Sequence, residues 1–168
     1  MGGSHWSAVT GGAAAAGKPE PPGVDGSLPR VDLERGPKTA RAVAQAISRG
    51  LVRSAHDPSE GGLLVAVAEM AMAGRVGCSI ELANVPARAA AVSAEALAFA
   101  EDPSRYLLEV EPSKLDALRT ALADLPFAVI GTTVADPALS VELGGANGRV
   151  SWKLDEVREA WSRGAELP

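Results

Sequence analysis

The chain has 168 residues, enough for one domain with a real core and short for two. Hydrophobic residues make up 46% and charged residues 22%, an ordinary globular balance, and the net charge of −5 argues against general affinity for nucleic acid or anionic lipid. No apolar run approaches the roughly 20 residues that span a bilayer, residues Met1 to Trp6 lack the basic and apolar regions of a signal peptide, and the single Cys78 excludes an internal disulfide or a thiol zinc cluster. By exclusion, these features predict a cytoplasmic protein.

The apolar residues are mostly Ala, Val and Leu, with two Phe, one Tyr and three Trp, which points to close helix-on-sheet packing. Residues 11–29 are rich in Gly, Ala and Pro, and such a stretch reads as a flexible or extended loop. We therefore divide the chain into a leading segment, 1–36, and a domain, 37–168. Ala40, Val43, Ala44 and Ile47 recur at helical spacing before Gly50, predicting a helix over 37–49. A second helix follows Asp57-Pro58-Ser59-Glu60 and ends near Gly74. Leu63, Leu64, Val67, Met70 and Ala71 make it apolar nearly all round, so burial on most sides is expected. Val76–Leu82 alternates as a strand, with Cys78 on its apolar face. A short helix over Ser93–Ala100, the turn Glu101-Asp102-Pro103-Ser104 and a strand over Arg105–Val110 come next.

Pro112 opens a helix striped by Leu115, Leu118, Leu122 and Leu125. The remainder reads as a meander. Phe127–Val134 and Leu139–Leu143 are strands joined through Asp136-Pro137, and a glycine-rich hairpin turn, Gly144–Gly148, leads to Arg149–Trp152. This turn has neither the Lys nor the Ser/Thr of a phosphate-binding loop. Leu154, Val157 and Trp161 set a closing amphipathic helix, with Trp152 and Trp161 expected to pack between the last strand and helix or to offer a partner surface. The order implies a mixed α/β (α+β) sheet with helices mainly on one face.

Ser54-Ala55-His56-Asp57-Pro58-Ser59-Glu60-Gly61-Gly62-Leu63 is the most informative stretch. It reads first as a helix start, with Asp57 at the N-cap, Pro58 at N1 and Glu60 at N3 completing a capping box. Gly61 and Gly62 are not explained that way, since glycine inside a helix costs about 1 kcal/mol relative to alanine. They fit a place where another backbone or a ligand approaches closely. A helix N-terminus without side-chain bulk favours phosphate, while Asp57 and Glu60 oppose it unless a metal bridges them. Packing against a neighbouring domain and nucleotide binding both remain open on this pattern. His56 beside the cap is expected to hydrogen-bond locally, His5 has no metal-ligand partner at useful spacing, and Glu101, Asp102 and Arg105 form a turn with a local ion pair.

This stretch, with Ala66-Val67-Ala68-Glu69-Met70-Ala71 after it, resembles the second-half signature of formylglycinamidine ribonucleotide synthase (phosphoribosylformylglycinamidine synthase), within the AIR synthase-related superfamily. Phe99 to Tyr106 resembles that family's Glu-x-x-x-Arg turn and following strand, Val129 to Val134 its penultimate hairpin, and Leu154 to Trp161 its closing helix. Gly2-Gly3-Ser4-His5-Trp6 is similar to the family's Gly-Gly-Ser-Glu-Tyr. The resemblance implies an ATP-dependent ligase of purine synthesis. Its ATP, with Mg2+, phosphorylates the amide oxygen of formylglycinamide ribonucleotide, and ammonia from a glutaminase subunit displaces the phosphate. A small accessory subunit completes the complex.

The resemblance covers only the final domain of that enzyme. The family's catalytic histidines, ATP lysine and most magnesium carboxylates belong to earlier domains, so neither a catalytic residue nor a metal ligand is carried over and no cofactor is certain for this chain alone. What carries over is a set of residues expected to face the second, pseudo-symmetric cleft or the central barrel: His56, Asp57, Ser59, Glu60, Gly61, Gly62, Glu101, Ser104 and Arg105. The sequence departs from the family in starting partway through the domain, in His5 where an acid is usual, and in its long Ala/Pro/Gly loop. Met1 is accordingly expected to be an internal methionine. The alternative reading is an orphan, non-catalytic module that binds nucleotide or protein.

Overall fold

The computed structural model describes residues 4–9, 29–87, 92–144 and 148–164. The glycine, alanine and proline stretch and the centre of the Gly144–Gly148 turn lie outside these residues, apart from Pro29 in the former. Six helices and six strands are described: α1 (His5–Val9), α2 (Arg35–Ser48), β1 (Ser54–His56), α3 (Gly62–Gly74), β2 (Gly77–Glu81), α4 (Ala94–Phe99), β3 (Leu107–Glu109), α5 (Leu115–Ala121), β4 (Gly131–Val134), β5 (Ala138–Glu142), β6 (Arg149–Lys153) and α6 (Leu154–Arg163). The mixed α/β class expected from the element order is what the chain adopts.

Helix α2 begins two residues before the predicted start, where Asp32 Oδ1 accepts the N–H groups of Glu34 and Arg35 at 3.2 and 2.8 Å. It ends as the sequence indicates. Gly50 adopts φ +67, its N–H donates to Ile47 O, and Leu51 N–H donates to Ala46 O, closing a Schellman motif. The buried stripe, however, is rotated from the expected one. Gly36, Val43 and Ala46 face inward while Ala44 and Ile47 are exposed. Ala46 is completely buried against Leu118 of α5 and Leu122 just beyond it, where its small side chain lets the two helices approach closely. The predicted leucine stripe holds in part: after a 3-10 turn at Pro112–Lys114, α5 carries Leu115 and the fully buried Leu118 and ends at Ala121, while Leu122 and Leu125 follow the helix and join the same cluster.

Two sheets position these helices. β1 and β3 pair antiparallel, His56 opposite Leu107 and Ser54 opposite Glu109. The larger sheet has the order β4-β2-β5-β6, which corrects the predicted meander. Only β5 and β6 form a hairpin; β2 lies between β4 and β5, antiparallel to the first and parallel to the second. The reason lies in the short link through Asp136 and Pro137. It arches over the start of β2, and a Cβ at Gly77 would collide with Asp136 O and Ala138 O. Glycine at this point lets the link pass and β2 insert.

The main core sits on one face of this sheet. Cys78 and Ile80 of β2 and Leu139 and Val141 of β5 pack with Leu63, Leu64, Val67, Ala68 and Ala71 of α3, and Leu154 of α6 closes one side. α3 is thus buried on most of its surface, as its all-round apolar character requires. The other face carries a row of hydroxyls in register, Thr132, Ser79, Ser140 and Ser151, with Ser140 and Ser151 Oγ atoms 2.9 Å apart. Cys78 is buried as predicted, and burial pushes its thiol up to about 11. Trp152 and Trp161 depart from the packed reading: they are 42% and 61% exposed. Among the described residues no helix is long and apolar enough to cross a membrane.

Candidate functional site

The signature Ser54–Leu63 forms strand β1, a turn and the start of α3. The capping box expected there is absent. The helix begins at Gly62, with Gly61 as its N-cap in the left-handed region at φ +77, and no side chain of its own segment caps it. Asp57 and Glu60 therefore lie before the helix rather than in its first turn, and Asp57, Ser59 and Glu60 are exposed. The cap comes from elsewhere: Glu101, forty residues on, accepts the Gly61 N–H at 2.8 Å. A negative group at this place satisfies a free amide and complements the helix dipole. The Gly62 N–H donates to Ser59 O at 3.1 Å.

The reason for the two glycines lies within the domain. Gly62 is at φ +70, and a Cβ there would lie 2.6 Å from Phe99 C and 2.8 Å from Ala100 O. A Cβ on Gly61 would strike the Val65 side chain. The close approach that the sequence indicated is thus made by the backbone at the end of α4.

The Glu101–Arg105 turn is built against the same point. Oε1 of Glu101 accepts the His5 N–H at 2.9 Å as well as the Gly61 N–H, and lies 3.2 Å from His5 Nδ1. Partial burial raises this carboxyl's pKa, but the Gly61 and His5 donors outweigh burial and hold it below its ordinary value. Arg105 donates from Nη1 to Ala100 O at 3.1 Å. Burial lowers its pKa, opposed by the charge of Asp102. Ser104 adopts φ +64, and its Oγ lies 2.8 Å from where a Cβ on Gly36 would be, so the first turn of α2 rests on this turn. Of the expected local pairing of Glu101 and Asp102 with Arg105, the Asp102 charge does act on Arg105, while Glu101 and Arg105 each bond a different backbone partner.

His56 lies apart from that cluster. Its Nε2 is 2.8 Å from Glu69 Oε2, thirteen residues along on α3, and its Nδ1 is 3.6 Å from Asp57 Oδ1. Glu69 Oε1 also accepts the Trp161 ring N–H at 3.2 Å. Sequence reading expected a local partner for His56 and missed Glu69, although one acid in a helix otherwise built of Leu, Val, Ala and Met was a usable signal. His5 and the stacking of Trp6 on Phe99, 4.4 Å between centroids and 8° between planes, were also missed.

The nine predicted residues thus fall into an inward group (Gly61, Gly62, Glu101, Arg105), an exposed Ser104 set against Gly36, an exposed rim (Asp57, Ser59, Glu60), and His56 bound to Glu69. Among the described residues no group of three or more His, Cys, Asp or Glu could hold a metal ion. The Gly61 and Gly62 amides are already engaged within the chain. These residues alone do not fit a magnesium ion or a triphosphate.

Residues 1–144 match the family model for AIR synthase related protein, C-terminal domain. The chain belongs to this family. Within it, the chain is 37% identical over 136 residues to phosphoribosylformylglycinamidine synthase subunit PurL of Deinococcus radiodurans, covering 81% of the chain and 18% of that relative. It is 40% identical over 139 residues to the PurL of Sinorhizobium fredii NGR234, covering 82% and 17%. Among solved structures, Thermotoga maritima PurL complexed with FGAR aligns at TM-score 0.69 and 20% identity over 78% of this chain and 22% of that one. PurLQS from the same organism aligns at 0.69 over 79% and 23%, and T. maritima PurL complexed with ATP at 0.62 over 70% and 20%. These likenesses establish the AIR synthase-related fold. The chain spans about a fifth of the length of the relatives it matches.

Proposed function

We propose that this AIR synthase-related domain works as the C-terminal domain of the second half of a phosphoribosylformylglycinamidine synthase, with 37–168 as the domain and 1–36 as its leading segment. The observation that carries the reading is the 37–40% identity to PurL subunits over about four-fifths of the chain, spanning the whole signature turn. The full enzyme would convert formylglycinamide ribonucleotide, ATP and glutamine-derived ammonia to the amidine, using Mg2+ in the cytoplasm with glutaminase and small accessory subunits. This chain supplies architecture: the inward group fixes the turn, and the rim of Asp57, Ser59 and Glu60, with His56 held on Glu69 beside it, faces the second cleft or the remaining domains. No residue here is given a catalytic role.

The test is a graft. This chain replaces the corresponding domain of the D. radiodurans relative in a cell lacking its own synthase. Growth without purines, with amidine formation by the purified chimaera, is expected. A chimaera that folds and assembles yet forms no amidine would refute the reading. Within the graft, Asp57→Lys is expected to weaken assembly; full assembly and activity would remove the rim from the interface. An open frame upstream of Met1 encoding the earlier domains is the matching genetic expectation, whereas a stop codon and promoter directly before Met1 would favour the orphan module.

A further inference from the structure

We infer that the amino-terminal segment is a strap that holds the Glu101 carboxylate in place over the turn before α3, so that the closure of that turn depends on residues far away in the sequence. The strap is Ser4 with helix α1. Ser4 is buried, His5 gives Glu101 Oε1 both its backbone N–H at 2.9 Å and its ring at 3.2 Å, and Trp6 stacks on Phe99. One oxygen thereby joins three pieces of chain: the strap, the end of α4 and Gly61.

The coupling follows from that geometry. Glu101 is two residues beyond Phe99, so the aromatic stack and the carboxylate contacts fix the same stretch of backbone. That stretch also presents Ala100 O to Arg105 and lies against Gly62 without room for a Cβ. The Gly61 amide is protected only while the carboxylate stays in place. With the strap released, Glu101 loses two of the three donors on Oε1 and its α4 anchor, and local opening of the turn becomes easier without global unfolding. The strap's other contacts need not touch the turn for this to hold. The inference rests on this chain's own contacts and stands or falls separately from the ligase reading.

The test is amide hydrogen exchange, read by NMR on the full chain at Gly61 and at Ile80 and Val141 in the buried strands. Trp6→Ala is expected to speed Gly61 exchange roughly 5- to 10-fold, the range of one net hydrogen bond lost, with Ile80 and Val141 unchanged. Glu101→Ala should do the same, and Glu101→Gln, which keeps an acceptor oxygen, should restore much of the protection. The double variant Trp6→Ala with Glu101→Ala should exchange no faster than the faster single one, because both release one latch. Gly61 protection unchanged in Trp6→Ala, or effects that multiply in the double variant, would overturn the inference. A rise shared equally by Ile80 and Val141 would also overturn it, showing a general loss of stability instead of a latch.

Discussion

Gly62→Ala tests the close approach at the heart of the turn. Two costs add. The residue sits at φ +70, and an L-residue there costs about 1–2 kcal/mol. The new Cβ would also lie 2.6 Å from Phe99 C and 2.8 Å from Ala100 O, so the α4 backbone must withdraw by about 0.8 Å to restore ordinary contact. That backbone is held by Arg105 and Glu101, and overpacking of this kind costs about 1–3 kcal/mol. The expected loss is about 2–5 kcal/mol, a large share of the 5–15 kcal/mol that holds a typical domain folded. Gly50→Ala is the control, since Gly50 has φ +67 but nothing within 4 Å of its Cβ position. It should lose only the conformational part, about 1–2 kcal/mol. Urea unfolding followed by circular dichroism measures both, with unchanged m-values required for the comparison. Equal losses in the two variants would refute the steric account and leave only the shared left-handed backbone.

Leu118→Ala, at a fully buried position of α5, should cost about 2–5 kcal/mol in the same assay, whereas Ile47→Ala, 47% exposed, should stay near 0.5 kcal/mol. Cys78, with its thiol pushed up to about 11 and buried, should resist an aromatic disulfide reagent in the native chain at neutral pH and react fully in urea. Glu101 has a depressed folded value, so its stabilisation is present above the ordinary carboxylate value and is lost as pH falls through the folded one. The urea midpoint of Glu101→Gln should therefore fall less steeply than the parent's on acidification. Glu69→Ala removes the acceptor of the Trp161 ring N–H and should change that residue's fluorescence, read in a Trp6→Phe, Trp152→Phe background.

What was legible in the sequence follows from the range of each interaction. The stop at Gly50, the end of α3 near Gly74 (where Arg75 takes the left-handed cap), the buried character of α3, the first leucines of α5 and the alternation of β2 are written within a few residues of where they act. The start of α3 was misplaced because capping rules look only at neighbours. Asp57, Pro58 and Glu60 fit a local cap, yet the anion that serves the turn comes from Glu101, forty residues away. The strand order was misread for a similar reason. A short link between two apolar strands favours a hairpin, and nothing near Asp136 and Pro137 indicates that β2 lies between them. On α2 the stripe was shifted because alanine occurs on both faces and carries little information about which side is buried.

The glycine pair shows how a correct clue can point to the wrong partner. The absence of side chains at 61 and 62 did require something to come close, and both a ligand and a neighbouring domain satisfied that requirement on sequence alone. In the fold the space at Gly62 is taken by Phe99 and Ala100 and that at Gly61 by Val65, and the amide that an anion would seek is taken by Glu101. The signature is therefore two-sided. Gly61 and Gly62 look inward and serve the domain's own closure, while Asp57, Ser59 and Glu60 remain exposed beside them. An exposed acidic rim on a turn locked from behind presents fixed charge without moving parts, which suits a surface that meets another domain better than one that must open to admit a nucleotide.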